Sequence, residues 1–120
     1  MRWGGAIEQN GLATWRQAVS NLPPTIRRAC EKAAVELADV DLALLHQANG
    51  NLISYVLRKL RIEPERTVTN VERIGNTGAA SVAIVLSEAV AGGRIGRDDI
   101  VVLAAVGAGF TFGASVWRWQ

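Results

Sequence analysis

Residues 39–60 read DVDLALLHQANGNLISYVLRKL, and the way this run divides decides the fold. Its first part, 40–45, is a short apolar stretch entered through Asp39 and Asp41 and left at His46. An unbroken apolar run of that length, without alternation, spells a strand buried on both faces. The last part, 49–60, changes period. Leu52, Ile53, Val56 and Leu60 fall on one face of a helix, while Arg58 and Lys59 point away. A doubly buried strand feeding a helix is the building unit of a parallel sheet.

Upstream, 13–21 and 25–37 carry helical spacing, the second with Ile26, Ala29, Cys30, Ala33 and Leu37 on one stripe and Arg27, Arg28, Glu31 and Lys32 opposite. Pro23-Pro24 lies between them and is expected to break or kink the helix, since a proline ring removes an amide donor and disfavours helix in the residue before it. Downstream, Pro64 ends the neighbourhood of the 49–60 helix and 67–70 is a brief strand candidate. Gly75-Asn76-Thr77-Gly78 forms a turn opening a helix over 79–91, which is small or apolar almost all round and must be covered on every side. Gly92, Gly93 and Gly96 stop that helix. Residues 99–106 and 112–119 have strong β propensity and are joined by the turn Gly107-Ala108-Gly109. The order helix, strand, helix, strand, helix, strand, strand implies an α/β fold, with a mixed, mostly parallel sheet, right-handed crossovers and a final antiparallel pair. Residues 1–11, Gly-rich and aperiodic, read as a loop ahead of a domain over 12–120.

With 120 residues, 49% hydrophobic and 20% charged, the composition is that of one ordinary soluble domain, which excludes a disordered tail, a collagenous repeat or a multidomain chain. One cysteine makes no internal disulfide, and a reducing compartment is the natural reading. The net charge of +2 gives no case for nucleic acid. The start lacks the basic and apolar segments of a signal peptide, and no apolar stretch reaches the ~18 residues of a membrane span, so a cytoplasmic location is expected.

Three places offer chemistry. In open α/β sheets ligands gather beyond the carboxyl ends of strands, and His46, the sole histidine, stands at such an end. The ordinary alternative is a buried imidazole bonded to backbone. The Gly75-Asn76-Thr77-Gly78 turn presents a carboxamide at a helix start where backbone donors converge, the alternative being simple capping by Asn76 or Thr77. The Gly107-Ala108-Gly109 turn lets backbone amides approach a ligand closely, although glycine between strands is usually just a turn. Cys30 sits mid-helix on the apolar stripe, away from anything that would lower a thiol pKa, and reads as core packing. A metal site is disfavoured by one histidine and no cysteine cluster.

The motifs His46-Gln47-Ala48-Asn49, Arg73-Ile74-Gly75-Asn76-Thr77 and Gly107-Ala108-Gly109-Phe110-Thr111-Phe112-Gly113, taken together, resemble the C-terminal half of β-ketoacyl-acyl-carrier-protein synthase III, a condensing enzyme of the thiolase fold. The resemblance covers about residues 11–119. It implies a thiolase-like half-domain whose opening strands are missing, and an activity joining an acyl group to malonyl-acyl carrier protein by decarboxylative Claisen condensation. By the same resemblance His46 and Asn76 are the catalytic histidine and asparagine, and Ala108 supplies a backbone N–H to an oxyanion hole, in place of a family glycine. Trp15, Ala48 and Asn49 match positions along the pantetheine tunnel. Arg16, Arg58 and Lys59 match basic positions that dock the acidic carrier, whereas Asn51 replaces an arginine frequent there.

The family's nucleophilic cysteine belongs to the other half, so the chain alone is expected to be silent. The implied partners are a carrier protein or coenzyme A thioester and a missing N-terminal half or partner chain, in a homodimer or heterodimer, with neither nucleic acid nor membrane. No cofactor is implied. Loss of the opening strands is expected to expose a sheet edge and one face of the 79–91 helix. A competing expectation is a noncatalytic thiolase-like subunit that pairs with an active synthase.

Overall fold

The computed structural model describes residue 5 and residues 8–120; of the expected N-terminal loop, residues 1–4, 6 and 7 lie outside the described residues. The elements are α1 (Gly11–Lys32), β1 (Leu42–Leu45), α2 (Gly50–Leu60), the single turn α3 (Val71–Ile74), α4 (Ser81–Ala91), β2 (Ile100–Gly107) and β3 (Thr111–Arg118), with 3₁₀ turns at Leu37–Asp39, Pro64–Arg66 and Gly78–Ala80. The strands form one sheet in the order β1-β2-β3. β1 lies parallel to β2, with Leu42 opposite Val101 and Leu45 opposite Ala104, and β2 is antiparallel to β3. Strand β1 is buried along its whole length, as an apolar run without alternation requires.

One face of the sheet carries Ala43, Leu45, Val102 and Ala104 against α1 and α2, whose Leu22, Ile26, Ile53 and Val56 are fully buried. The other face carries Leu42, Leu44 and Val101 against Val85 and Ala89 of α4. Among the described residues no helix is long and apolar enough to cross a membrane.

The structure departs from the sequence reading at four places. Helix α1 runs unbroken through Pro23 and Pro24. Each internal proline costs about 3 kcal/mol. Ala18, Leu22, Pro23, Ile26 and Cys30 form one buried seam across the prolines, and Leu22 and Ile26 alone return about 2–3 kcal/mol each on burial. Local bonds help, with Asn21 Nδ2 donating to the Gln17 carbonyl (2.8 Å) and Thr25 Oγ1 to that of Asn21 (2.7 Å).

The helix then ends at Lys32 instead of reaching residue 37. Ala34 takes a left-handed φ of 54°, and the amides of Ala34 and Val35 close back on the carbonyls of Glu31 and Cys30, at 3.1 and 3.0 Å. This is a Schellman closure with alanine where glycine is usual, and Val35 packs on the core behind it.

Residues 67–70 are not a strand. They are held by side-chain bonds instead of a ladder: Thr67 Oγ1 donates to the Ala43 carbonyl, and the Asn70 amide donates to Gln47 Oε1.

Among the described residues helix α4 is covered on one side only, short of the all-round cover its apolar pattern calls for and in line with the exposed helix face implied by the resemblance. Ser81, Val85 and Ala89 are buried, whereas Val90 is 46% exposed, because α4 meets β1 and β2 and little else among the described residues.

Candidate active site

Strand β1 ends at Leu45, and the His46 amide makes the last ladder bond, to the Ala104 carbonyl at 2.8 Å. The chain then turns through Gln47 and Ala48 into α2, whose first turn is capped by Asn49 Oδ1 accepting from the Leu52 amide at 2.8 Å. His46 therefore stands in the strand-to-helix turn at the carboxyl edge of the sheet, half-buried. Its Nδ1 lies 2.5 Å from Ser81 Oγ, the first residue of α4. Burial of the ring lowers its pKa from the usual 6.5, so the imidazole is neutral near pH 7.

Asn76 sits on the turn that leads into α4. Gly75 before it has φ 72° and ψ −168°, backbone open only to glycine. Asn76 Oδ1 accepts from the Gly78 amide at 2.9 Å, an Asx turn. Its side chain is thus a cap, and capping consumes only the oxygen. The NH₂ end makes no hydrogen bond among the described residues, and the side chain is exposed. His46 and Asn76 are joined through one short segment, Asn76 by Gly78 and His46 by Ser81 three residues later. Each has one polar atom held by the protein and one nitrogen left to offer.

Two further groups steady this corner, and the sequence reading assigned neither. Gln47 has no exposed surface, and its Nε2 donates to the Leu45 carbonyl (2.8 Å). Its Oε1 receives the amides of Asn70 (3.0 Å) and Val71 (3.3 Å), which clamps the start of α3, the turn leading to Asn76. Glu88 of α4 binds Asn70 Nδ2 (3.2 Å) and Arg73 (3.0 Å to Oε2) from the opposite side. A signal existed for the second: Glu88 is the lone charge in a mostly apolar helix and needs a partner.

The β2–β3 turn holds Ala108. Strand β2 continues three residues past the position facing Leu45, so the turn projects about 10 Å beyond that level at ~3.3 Å per residue. Ala108 keeps a negative φ, so its methyl adds no backbone strain, and the residue is exposed. Gly109 follows at φ 144°, where a Cβ would meet Thr111 Oγ1 at 2.7 Å.

The other residues singled out from sequence gather farther along α1 and α2. Trp15 packs edge-on against Tyr55 (6.0 Å between centroids), and Arg58 and Lys59 lie 5.8 and 5.6 Å from the same ring. Tyr55 thus links the expected tunnel aromatic to two of the expected docking cations, a role its sequence position did not announce. Arg16 is exposed beside Trp15, and Ala48 is half-buried against the core. An open polar groove of about 380 Å³ runs past Asn51, Ser54, Thr69 and Glu72, and includes neither His46 nor Asn76. Cys30 is buried, and burial first, then the charge of Glu31, pushes its thiol pKa up, as befits packing. The described residues hold no cluster of three or more His, Cys, Asp or Glu able to bind a metal.

The arrangement is a thiolase-like half-domain, recognisable in solved structures. A synthase III from Aquifex aeolicus, described as 3-oxoacyl-[acyl-carrier-protein] synthase III, superposes with a TM-score of 0.93 at 36% identity, over 96% of this chain and 37% of that one. The priming β-ketosynthase of the R1128 polyketide pathway gives 0.89 at 26% identity, over 94% and 34%. By sequence, a β-ketoacyl-[acyl-carrier-protein] synthase III from Synechocystis is 40% identical over 114 residues, 95% of this chain and 34% of the relative. The profile described as 3-oxoacyl-[acyl-carrier-protein (ACP)] synthase III C terminal matches residues 30–119, and the chain belongs to that family. It spans about a third of the length of the relatives it matches.

Proposed function

We propose that this chain supplies the histidine and asparagine of a 3-oxoacyl-acyl-carrier-protein synthase III-type acyltransferase, acting in fatty acid or related polyketide synthesis. The reaction is a decarboxylative Claisen condensation. Breaking the bond between the carboxylate and Cα of a malonyl thioester releases carbon dioxide and leaves the electron pair as an enolate. The enolate carbon attacks the carbonyl of an acyl thioester and expels its thiolate. The developing enolate oxygen needs neutral donors already in place, and removing one typically costs about 3–4 kcal/mol of barrier.

The observation that carries the reading is the complementary engagement of the two side chains. Nδ1 of His46 is taken by Ser81 and Oδ1 of Asn76 by Gly78, which leaves imidazole Nε2 and carboxamide Nδ2 to face a ligand. A carboxylate at either place would repel the anion. The Ala108 N–H serves the oxyanion of the acyl-transfer step. Trp15, Ala48 and Asn49 Nδ2 line the pantetheine path, and Arg16, Arg58 and Lys59 receive an acidic carrier. Coenzyme A thioesters are the alternative substrates, since Asn51 offers no charge where the family often has arginine.

The acyl-accepting thiolate comes from outside these residues, because the one cysteine is buried in the last turn of α1 with a raised pKa. The chain alone is therefore catalytically silent, and a cysteine-bearing N-terminal half completes it. The test is acyl transfer and malonyl-thioester decarboxylation by purified chain, with and without such a half. The expected result is no turnover alone, turnover with the partner, and loss with His46→Ala. Turnover by the chain alone that His46→Ala abolishes would overturn the silence.

A second reading, a noncatalytic subunit that pairs with an active synthase, draws on the open side of the molecule. Leu86, Val101, Leu103, Trp117 and Trp119 line an apolar groove of about 160 Å³, and Trp117 is 55% exposed. If replacing both His46 and Asn76 leaves the activity of a reconstituted complex unchanged, this second reading replaces the first.

A further inference from the structure

We infer that Ser81 is the positioning residue of His46: its hydroxyl donates to Nδ1 and fixes the neutral ring as the tautomer with its proton on Nε2. This rests on the reading of His46 as an oxyanion donor and names the group that makes it one.

Two atoms approach Ser81 Oγ, His46 Nδ1 at 2.5 Å and the backbone nitrogen of Gln47 at 3.2 Å. An amide N–H only donates, so it fills one lone pair of the oxygen. The hydroxyl has a single proton to place. Ser81 has no exposed surface, and its Oγ makes no other hydrogen bond among the described residues, so Nδ1 is the acceptor within reach.

Were Nδ1 protonated, two N–H groups would converge on one oxygen and the hydroxyl proton would be buried without an acceptor. An orphaned buried donor biases such an equilibrium by about tenfold or more. Burial disfavours a second proton on the ring. With Nδ1 filled, the ring presents an N–H at Nε2, and a developing oxyanion meets a proton instead of a lone pair. The segment from Asn76 to Ser81 therefore orients both donors, the Gly78 amide setting which end of the carboxamide faces out and the Ser81 hydroxyl setting which nitrogen of the imidazole carries the proton.

Because His46 is the sole histidine, long-range proton–nitrogen correlation on the ¹⁵N-labelled 120-residue chain reads its tautomer directly. Above the titration of the ring, the expected spectrum has a pyridine-like Nδ1 and a pyrrole-like Nε2, with a population ratio of about ten or more. Ser81→Ala should move both nitrogens toward the averaged values of a mixed population, and Ser81→Thr, which keeps the hydroxyl, should restore them. A proton on Nδ1 in the wild-type chain overturns the inference whether or not the variants fold, and so does a spectrum that Ser81→Ala leaves unchanged. No turnover enters this measurement. Its failure would leave the catalytic reading standing on kinetics, and loss of the catalytic reading would leave the tautomer as found.

Discussion

The two faces of the sheet differ in how completely this chain covers them. On one, α1 and α2 bury Leu22, Ile26, Ile53 and Val56 almost completely. On the other, α4 touches the sheet along Ser81, Val85 and Ala89 and leaves Val90, Trp117 and the Leu86–Trp119 groove facing out. The outer edge of β3 also has no strand beside it among the described residues. A face that is finished and a face that is apolar but open teach that the chain carries its own folding core on one side and leaves apolar surface uncovered on the other. The candidate donors His46 and Asn76 lie where the finished β1–α2 unit meets the open α4.

The sharpest way to break this contrast is to cut into both faces and compare. Ile26→Ala, on the finished face, should cost about 2–5 kcal/mol in a denaturant melt. Trp117→Ser, on the open face, should change the isolated chain by about 1 kcal/mol or less. Equal costs would mean that the open face is not open in solution. Next in size is Gln47→Ala, which strips the acceptor from the amides of Asn70 and Val71 and should cost about 1–3 kcal/mol while loosening the turn that carries Asn76. Amide exchange at Val71 and Gly75 reads that loosening separately from stability.

A smaller effect is expected from pH. The folded His46 binds a proton less readily than the unfolded chain does, because burial disfavours the charged ring. The stability tied to its neutral form is fully present above the usual pKa of 6.5 and is lost as pH falls through the lowered native value. Melts between about pH 7.5 and pH 5 should show this loss, and His46→Gln should flatten it, other carboxylate effects being common to both chains. The smallest effect belongs to Arg73→Ala. Its 3.0 Å bridge to Glu88 joins a side chain 64% exposed to one 33% exposed and should contribute no more than about 1 kcal/mol.

The sequence announced those features that rest on short-range pattern. The buried run within 40–45, observed as a strand at Leu42–Leu45, the α2 stripe, the paired strands β2 and β3 and the Gly75–Gly78 turn are all local statements, and the structure agrees with each to within a residue or two. The misses share a cause. Pro23 and Pro24 obey local rules that a seam of buried side chains overrides, and the Ala34 closure of α1 uses a left-handed alanine where glycine would have marked it. The all-round cover that the apolar pattern of the 79–91 helix calls for is not present among the described residues, whereas the exposed helix face implied by the resemblance is. Around the site, His46 was singled out by its place at a strand end and Asn76 by its turn, with their roles implied by a resemblance, whereas Gln47, Ser81 and Glu88 act through contacts 15 or more residues apart along the chain, which no spacing rule can reveal.

The central claim is that one imidazole and one carboxamide serve the same developing anion. A double-mutant cycle on malonyl-thioester decarboxylation, run with the chain reconstituted with a cysteine-bearing half, tests it most directly. His46→Ala and Asn76→Ala should each slow the reaction by about a hundredfold or more, with the double variant losing less than the product of the two. Rates unchanged by either replacement, or two losses that multiply as independent sites do, would contradict it.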